Sequence, residues 1–204
     1  MAKRKKKSNK SSRKGGSFER QVCRDLSSWL SRGQRDDIFW RSAMSGGRAT
    51  IGLAGGKQRS AQAGDISLID DAGTSFLSKF VVECKRYADF NFASLMLKGE
   101  GKFLRFWRKH REECEQHGRL PFLIAKQDHM PSVLVMNVDG MLFFGLSLGS
   151  VRKPTHRAVI ILSDLGDELY FLDWETFLAT VMPPGIKVAA PRSRPRLPAS
   201  YSAN

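Results

Sequence analysis

Asp65, Glu83 and Lys85 are the residues whose types and spacing could do chemistry, each set in or at the start of an apolar stretch. In Glu83-Cys84-Lys85 the side chains alternate along a strand, so Glu83 and Lys85 share one face while Val82 and Cys84 take the other. Asp65 opens the run DISLID. If these two strands pair as a hairpin, the three side chains converge at one end of a sheet. Two carboxylates around a divalent cation with a lysine beside them are the minimal apparatus for phosphodiester hydrolysis. The cation neutralises phosphate and acidifies water, and the ammonium steadies charge growing on phosphorus. The bland alternative is a solvated strand face with alternating charges.

Glu19 is a fourth candidate. At about 100° per residue, Phe18, Val22, Cys23, Leu26, Trp29 and Leu30 fall within one arc of roughly 140°. Glu19 lies inside that arc. A carboxylate on a buried face needs a cation, a metal or donors to meet it. The alternative is a helix-start glutamate favoured by the dipole and reaching water.

The elements that must position these groups follow from the pattern around them. The sequence predicts a helix from Ser17, as N-cap, to about Ser31, with Gly33 as stop signal, and a strand over Ile38 to Ser42. Residues 44–63 read as a long surface loop rich in Gly, carrying Arg48, Lys57 and Arg59. Strands over Asp65–Asp70 and Phe80–Tyr87 come next, joined by a turn at Asp71, Ala72 and Gly73. A helical stretch from Phe92 to Gln116, broken at Gly99 and Gly101, carries Phe103, Phe106, Trp107, His110 and Cys114 on its core face. Strands at Leu120–Ala125, Ser132–Val138, AVIILSD and ELYFLDW and a short helix from Trp174 to Val181 complete the body. We expect residues 1–16 to form a disordered basic arm, 17–182 one catalytic domain, and 183–204 a disordered Pro/Arg-rich tail.

Charge supports a polyanionic partner mainly through the ends. Of 34 basic residues against 20 acidic, eight lie in residues 1–16 and four from 183 onward. That leaves 22 basic residues against all 20 acidic ones between 17 and 182. KRKKK at 3–7 suits a nonspecific DNA tether, or a nuclear address in a eukaryote. Cys23, Cys84 and Cys114 have neither disulfide nor zinc spacing. No apolar run reaches the roughly 18 residues of a membrane helix. A soluble chain in a reducing, intracellular setting is expected. GLAGGKQ at 52–58 departs from a phosphate loop at both its first Gly and its Ser/Thr position, and the four histidines show no metal spacing.

Taken in order, helix with Glu19, Asp65 before a strand, Glu83-x-Lys85 at the end of an apolar strand, and a following helix, the chain resembles the PD-(D/E)xK nuclease superfamily. Gly64 stands where that name has proline. Within the superfamily it is most similar to archaeal-type Holliday junction resolvases and related phage and plasmid endonucleases, from about Gly16 to Ala125. The resemblance implies a restriction-endonuclease-like α/β fold, a central mixed, mainly antiparallel sheet flanked by helices, with the site at a sheet edge near the first helix. It implies Mg²⁺, or Mn²⁺, held by Asp65, Glu83 and the Cys84 carbonyl, Glu19 binding a second metal or orienting water, and Lys85 assisting catalysis. Arg41, Ser42 and Ser45 match a segment lying beside the scissile phosphate; their alternative is a strand end and turn. Together with Arg48, Lys57 and Arg59 they form the expected DNA contact. The implied substrate is DNA, including four-way or other branched junctions, and the implied assembly a homodimer. A longer stretch between Ser45 and Asp65 and about fifty residues after Lys126 depart from compact resolvases. The rival class is a DNA-binding or packaging protein that keeps the fold without catalysis.

Overall fold

The computed structural model describes residues 10–42, 63–146, 156–162 and 167–183. Helix α1 (Lys10–Leu30) leads to strand β1 (Phe39–Arg41); strand β2 (Ile66–Leu68) is followed by a 3₁₀ turn (Asp71–Gly73) and short helix α2 (Thr74–Leu77). Then come β3 (Phe80–Tyr87), α3 (Phe92–Lys98), α4 (Lys102–Gln116), β4 (Leu120–Gln127) and β5 (Ser132–Met136). Helix α5 (Val138–Phe143), β6 (His156–Leu162), β7 (Asp167–Asp173) and α6 (Trp174–Thr180) complete the described elements.

Five strands form one mixed sheet in the order β3-β4-β5-β7-β6, with β3 parallel to β4 and the other neighbours antiparallel. A parallel pair needs a crossover, and α3 and α4 provide it. Their junction is set by Gly99 and Gly101, both at positive φ (63° and 134°), a backbone that side chains resist. This is the mixed, mainly antiparallel sheet with flanking helices that the sequence implied. Its two faces carry separate cores. Phe80, Val82, Cys84, Phe122 and Ile124 pack under α1 and α6, whereas Leu123, Ala125 and Val135 pack against Phe103, Leu104 and Trp107 of α3–α4. Each large apolar side chain so buried stabilises the fold by about 1.5–3 kcal/mol.

The expected arc of α1 is its buried face, with Phe18, Val22, Cys23, Leu26, Trp29 and Leu30 all in the core. The helix nonetheless starts at Lys10, so Ser17 is an exposed interior residue and not the N-cap, and residues 10–16 belong to the helix instead of the arm. Lys14 holds this added turn to the end of β4 through Asp128 at 2.7 Å. Residues 1–9 and 184–204, where the rest of the arm and most of the tail were expected, lie outside the described residues.

The expected hairpin between the strands at 65–70 and 80–87 does not form. β2 pairs antiparallel with β1, Trp40 opposite Ser67, in a separate two-stranded sheet. Asp70 accepts the Ala72 N–H at 2.9 Å and starts the 3₁₀ turn in place of a two-residue reversal. α2 then drives Phe76 into a ring cluster with Phe80 and Phe122, at centroid distances of 5.1 and 5.3 Å. The aromatic payload of that insertion outweighs a tight turn. Val138, expected at a strand end, instead opens α5, because Asn137 accepts the Gly140 N–H at 3.1 Å as an N-cap. Among the described residues, no helix is long and apolar enough to cross a membrane.

Candidate active site

Strand β3 is an edge strand, and Asp65 docks on its free side. Its N–H donates to the Val82 carbonyl at 2.8 Å, and its Oδ2 accepts the Cys84 N–H at 2.9 Å. The Asp65 carbonyl accepts from Ser42 N–H at 2.8 Å, which ties the end of β1 to the same turn. These bonds do the bringing together that the hairpin was expected to do. Gly64 makes the approach feasible: its φ is +78°, and a Cβ there would lie 2.4 Å from the Val82 carbonyl oxygen. Proline, locked near −65°, cannot adopt that backbone. The departure from the superfamily name thus has a steric cause.

Glu83 and Lys85 share a face of β3, as alternation requires. The Lys85 ammonium bonds the Glu83 carboxylate and stands 3.6 Å from Asp65 Oδ2. Burial, and then the nearby Asp65 carboxylate, push the Glu83 carboxyl up to about 7 against the pull of Lys85. Burial on its own would lower the Lys85 ammonium, but Glu83 and Asp65 raise it above the ordinary lysine range. Two crowded carboxylates therefore call for positive charge, and one ammonium only partly supplies it. The oxygen donors of Asp65 and Glu83, with the Cys84 carbonyl between them in sequence, suit a hard divalent cation.

Glu19 reaches the site from the opposite face of β3. Its Oε2 accepts from Arg41 Nε at 2.5 Å, answering the question of what meets a carboxylate on a buried stripe. Gly16, one turn earlier, leaves room for this guanidinium, since a Cβ there would sit 3.1 Å from Arg41 Nη1. The Cys84 thiol lies beneath, raised well above its ordinary range by burial and then by Asp65, Cys23, Glu83 and Glu19. Three carboxylates thus act on this one buried thiol. Where β1 begins is set by Ser27, whose hydroxyl accepts the Ile38 and Phe39 N–H groups at 3.1 and 3.0 Å. The structure brings together Glu19, Arg41, Ser42, Asp65, Glu83, Cys84 and Lys85. Ser45, Arg48, Lys57 and Arg59 lie outside the described residues.

Two residues of α4 belong to this neighbourhood without having been expected there. His110 and Glu113 offer ligand atoms that lie, with one from Glu83, all within 4.8 Å of one another. Glu113 Oε1 also accepts the Gly64 N–H at 3.1 Å. The available signal was a histidine on an apolar helical stripe with a glutamate three residues on, which reads equally well as core.

A family model described as "Phage putative PDDEXK endonuclease" matches residues 10–184. The chain belongs to that family. The match covers every described element, including the strands after Lys126 that the likeness to resolvases leaves out. Membership in this phage PDDEXK endonuclease family makes hydrolysis of DNA the implied activity, and its description names no junction. No curated protein and no solved structure matches the chain.

Proposed function

We propose that this PDDEXK family member is an Mg²⁺-dependent endodeoxyribonuclease, with Mn²⁺ as an alternative cation, whose reaction runs at the free edge of β3. The observation that carries the reading is the Lys85 ammonium bonded to Glu83 and 3.6 Å from Asp65, while Asp65 is fixed to the Cys84 N–H. Asp65, Glu83 and the Cys84 carbonyl would hold the cation. Bound there, a divalent cation supplies charge neutralisation to the scissile phosphate and acidifies the attacking water.

The protein's own groups do the remainder. Lys85, kept protonated by its two carboxylates, stabilises the negative charge that grows on the phosphate oxygens as water attacks and the bridging P–O bond breaks. Glu19 orients water or a second cation, and Arg41 holds Glu19 in place and offers its outer nitrogens to the backbone. Ser42, with Ser45, Arg48, Lys57 and Arg59, would line the DNA path. Four-way or other branched DNA is one substrate consistent with this chemistry, and paired cuts there would need a homodimer.

The test is incubation of the purified protein with supercoiled plasmid, linear duplex and a synthetic four-way junction, with Mg²⁺ or with chelator. Metal-dependent cuts that disappear in Asp65→Asn and Lys85→Ala are expected. Binding without cleavage on all three substrates would instead mark a packaging or DNA-binding protein.

A further inference from the structure

The proposed reaction leaves His110 and Glu113 unused, yet both converge on Glu83 from α4. Their ligand atoms and that of Glu83 lie within 4.8 Å of one another. First-row metals bind nitrogen and oxygen at about 2.0–2.2 Å, so neighbouring ligands stand about 3–4 Å apart. A contraction of at most about 1–2 Å, which rotation of the two carboxylate side chains can supply, closes the set.

His110 is only 2% exposed. The Val81 backbone acts on its ring in the direction of a hydrogen-bond acceptor, the kind of contact that orients a metal-bound imidazole. Its ring also meets the Cys114 sulfur, at 3.7 and 3.9 Å from the two ring nitrogens, and the edge of the Trp107 ring at a centroid distance of 6.4 Å, and neither is a strong polar partner. A ring this buried disfavours the charged form, and a neutral imidazole offers one nitrogen lone pair to a cation. Glu113 spends one oxygen on the Gly64 N–H at 3.1 Å, which leaves its other oxygen to bind a cation as far as the described residues go.

We propose that Glu83, His110 and Glu113 form a second divalent-cation site, and that its imidazole favours first-row transition ions, with Mn²⁺ as the spectroscopic probe, over Mg²⁺. The selection follows from ligand type, since nitrogen donors favour transition ions whereas all-oxygen sets suit Mg²⁺. Glu83 bridges this site and the one built on Asp65, so the inference deepens the nuclease reading and shares one ligand with it. Through Glu113 and the Gly64 N–H, an ion bound here also bears on the turn that carries Asp65.

The experiment is Mn²⁺ titration of the full chain without DNA, followed by electron paramagnetic resonance, with circular dichroism to verify folding of each variant. Two Mn²⁺ per chain are expected, one with nitrogen modulation in its pulsed spectrum. His110→Gln should abolish that modulation, and both His110→Gln and Glu113→Gln, the latter at a partly buried position, should weaken one ion by at least about tenfold. Asp65→Asn should weaken the other ion and keep the nitrogen signal. A single Mn²⁺ per chain, or a titration that both α4 variants leave unchanged, overturns the second site even if the DNA is cut. Absence of cleavage alongside a nitrogen signal that His110→Gln removes would sink the nuclease reading and leave this one standing.

Discussion

Asp65 Oδ2 accepts the backbone N–H of Cys84 at 2.9 Å, joining the carboxylate of one segment to the middle residue of the Glu83-x-Lys85 triplet across the edge of β3. The bond gives Asp65 a structural share as well as a proposed chemical one, and two substitutions separate the shares. Asparagine can still offer an oxygen to the Cys84 N–H, so Asp65→Asn should keep most of the stability while losing cleavage. Asp65→Ala leaves that buried donor unpaired and should cost about 1–3 kcal/mol on top of the lost activity. Urea unfolding beside plasmid nicking reads both, and equal stability of the two variants would count against the bond.

Gly64 provides a second prediction, one that runs against the superfamily's name. Because φ is +78° and a Cβ would fall 2.4 Å from the Val82 carbonyl, Gly64→Ala should destabilise by about 1–3 kcal/mol through backbone strain alone. Gly64→Pro writes the motif as the name spells it, yet it should be worse still. Its ring forbids the required φ and removes the N–H that Glu113 accepts. Thermal melts of both variants would decide, and a Gly64→Pro protein as stable as wild type would show that the turn has another conformation.

What could be read in the sequence was what depends on short-range periodicity. The stripe of α1 and the shared face of Glu83 and Lys85 follow from 3.6- and 2-residue repeats, which tertiary contacts only reinforce. The pairing of Asp65 with β3 was right in outcome and wrong in route. A turn at Asp71–Gly73 looks like a hairpin locally, but the partner of β2 is chosen by β1, far away in the chain. Ser27 has the chemistry of a solvent-facing helix position, yet it is fully buried and its hydroxyl accepts from the start of β1, a partner that a helical wheel does not contain. His110 and Glu113 were illegible for the same reason: nothing within a turn of α4 announces Glu83.

The pair Glu19 and Arg41 gives a prediction in which stability and activity move apart. Replacing Gly16 by alanine should favour α1 by up to about 1 kcal/mol. The new Cβ, 3.1 Å from Arg41 Nη1, must push the guanidinium away from its place over the helix. Gly16→Ala should therefore melt higher and cut more slowly. Arg41→Ala should cut more slowly too but melt lower, unlike Gly16→Ala, because it takes the guanidinium from a Glu19 carboxylate whose side chain is only 14% exposed. Gly16→Ala with unaltered cleavage would remove Arg41 from the reaction.

The charge crowding at Glu83 predicts an unusual pH dependence for the metal-free protein. Its carboxyl is raised from 4.5 to about 7, by burial and then by Asp65, so between those values the folded chain keeps a proton that the unfolded chain has lost. The unfolded state then binds fewer protons, and stability must fall as pH rises through that window. His110 works in the other direction. Its ring is lowered from 6.5 to about 3 by burial and then by Lys85, so the unfolded chain binds the extra proton and stability rises with pH over that range. The two oppose each other between about 4.5 and 6.5 and are separated by substitution. With chelator present, Glu83→Gln should leave the rising limb of His110, and His110→Gln the falling limb of Glu83. Mg²⁺ needs the ionised carboxylate, so adding it to wild type near neutral pH should release protons and reverse the decline towards pH 7. Urea unfolding across this series, with proton release followed by an indicator dye, tests the assignment. A Glu83→Gln protein that keeps the wild-type pH profile would locate the raised group elsewhere.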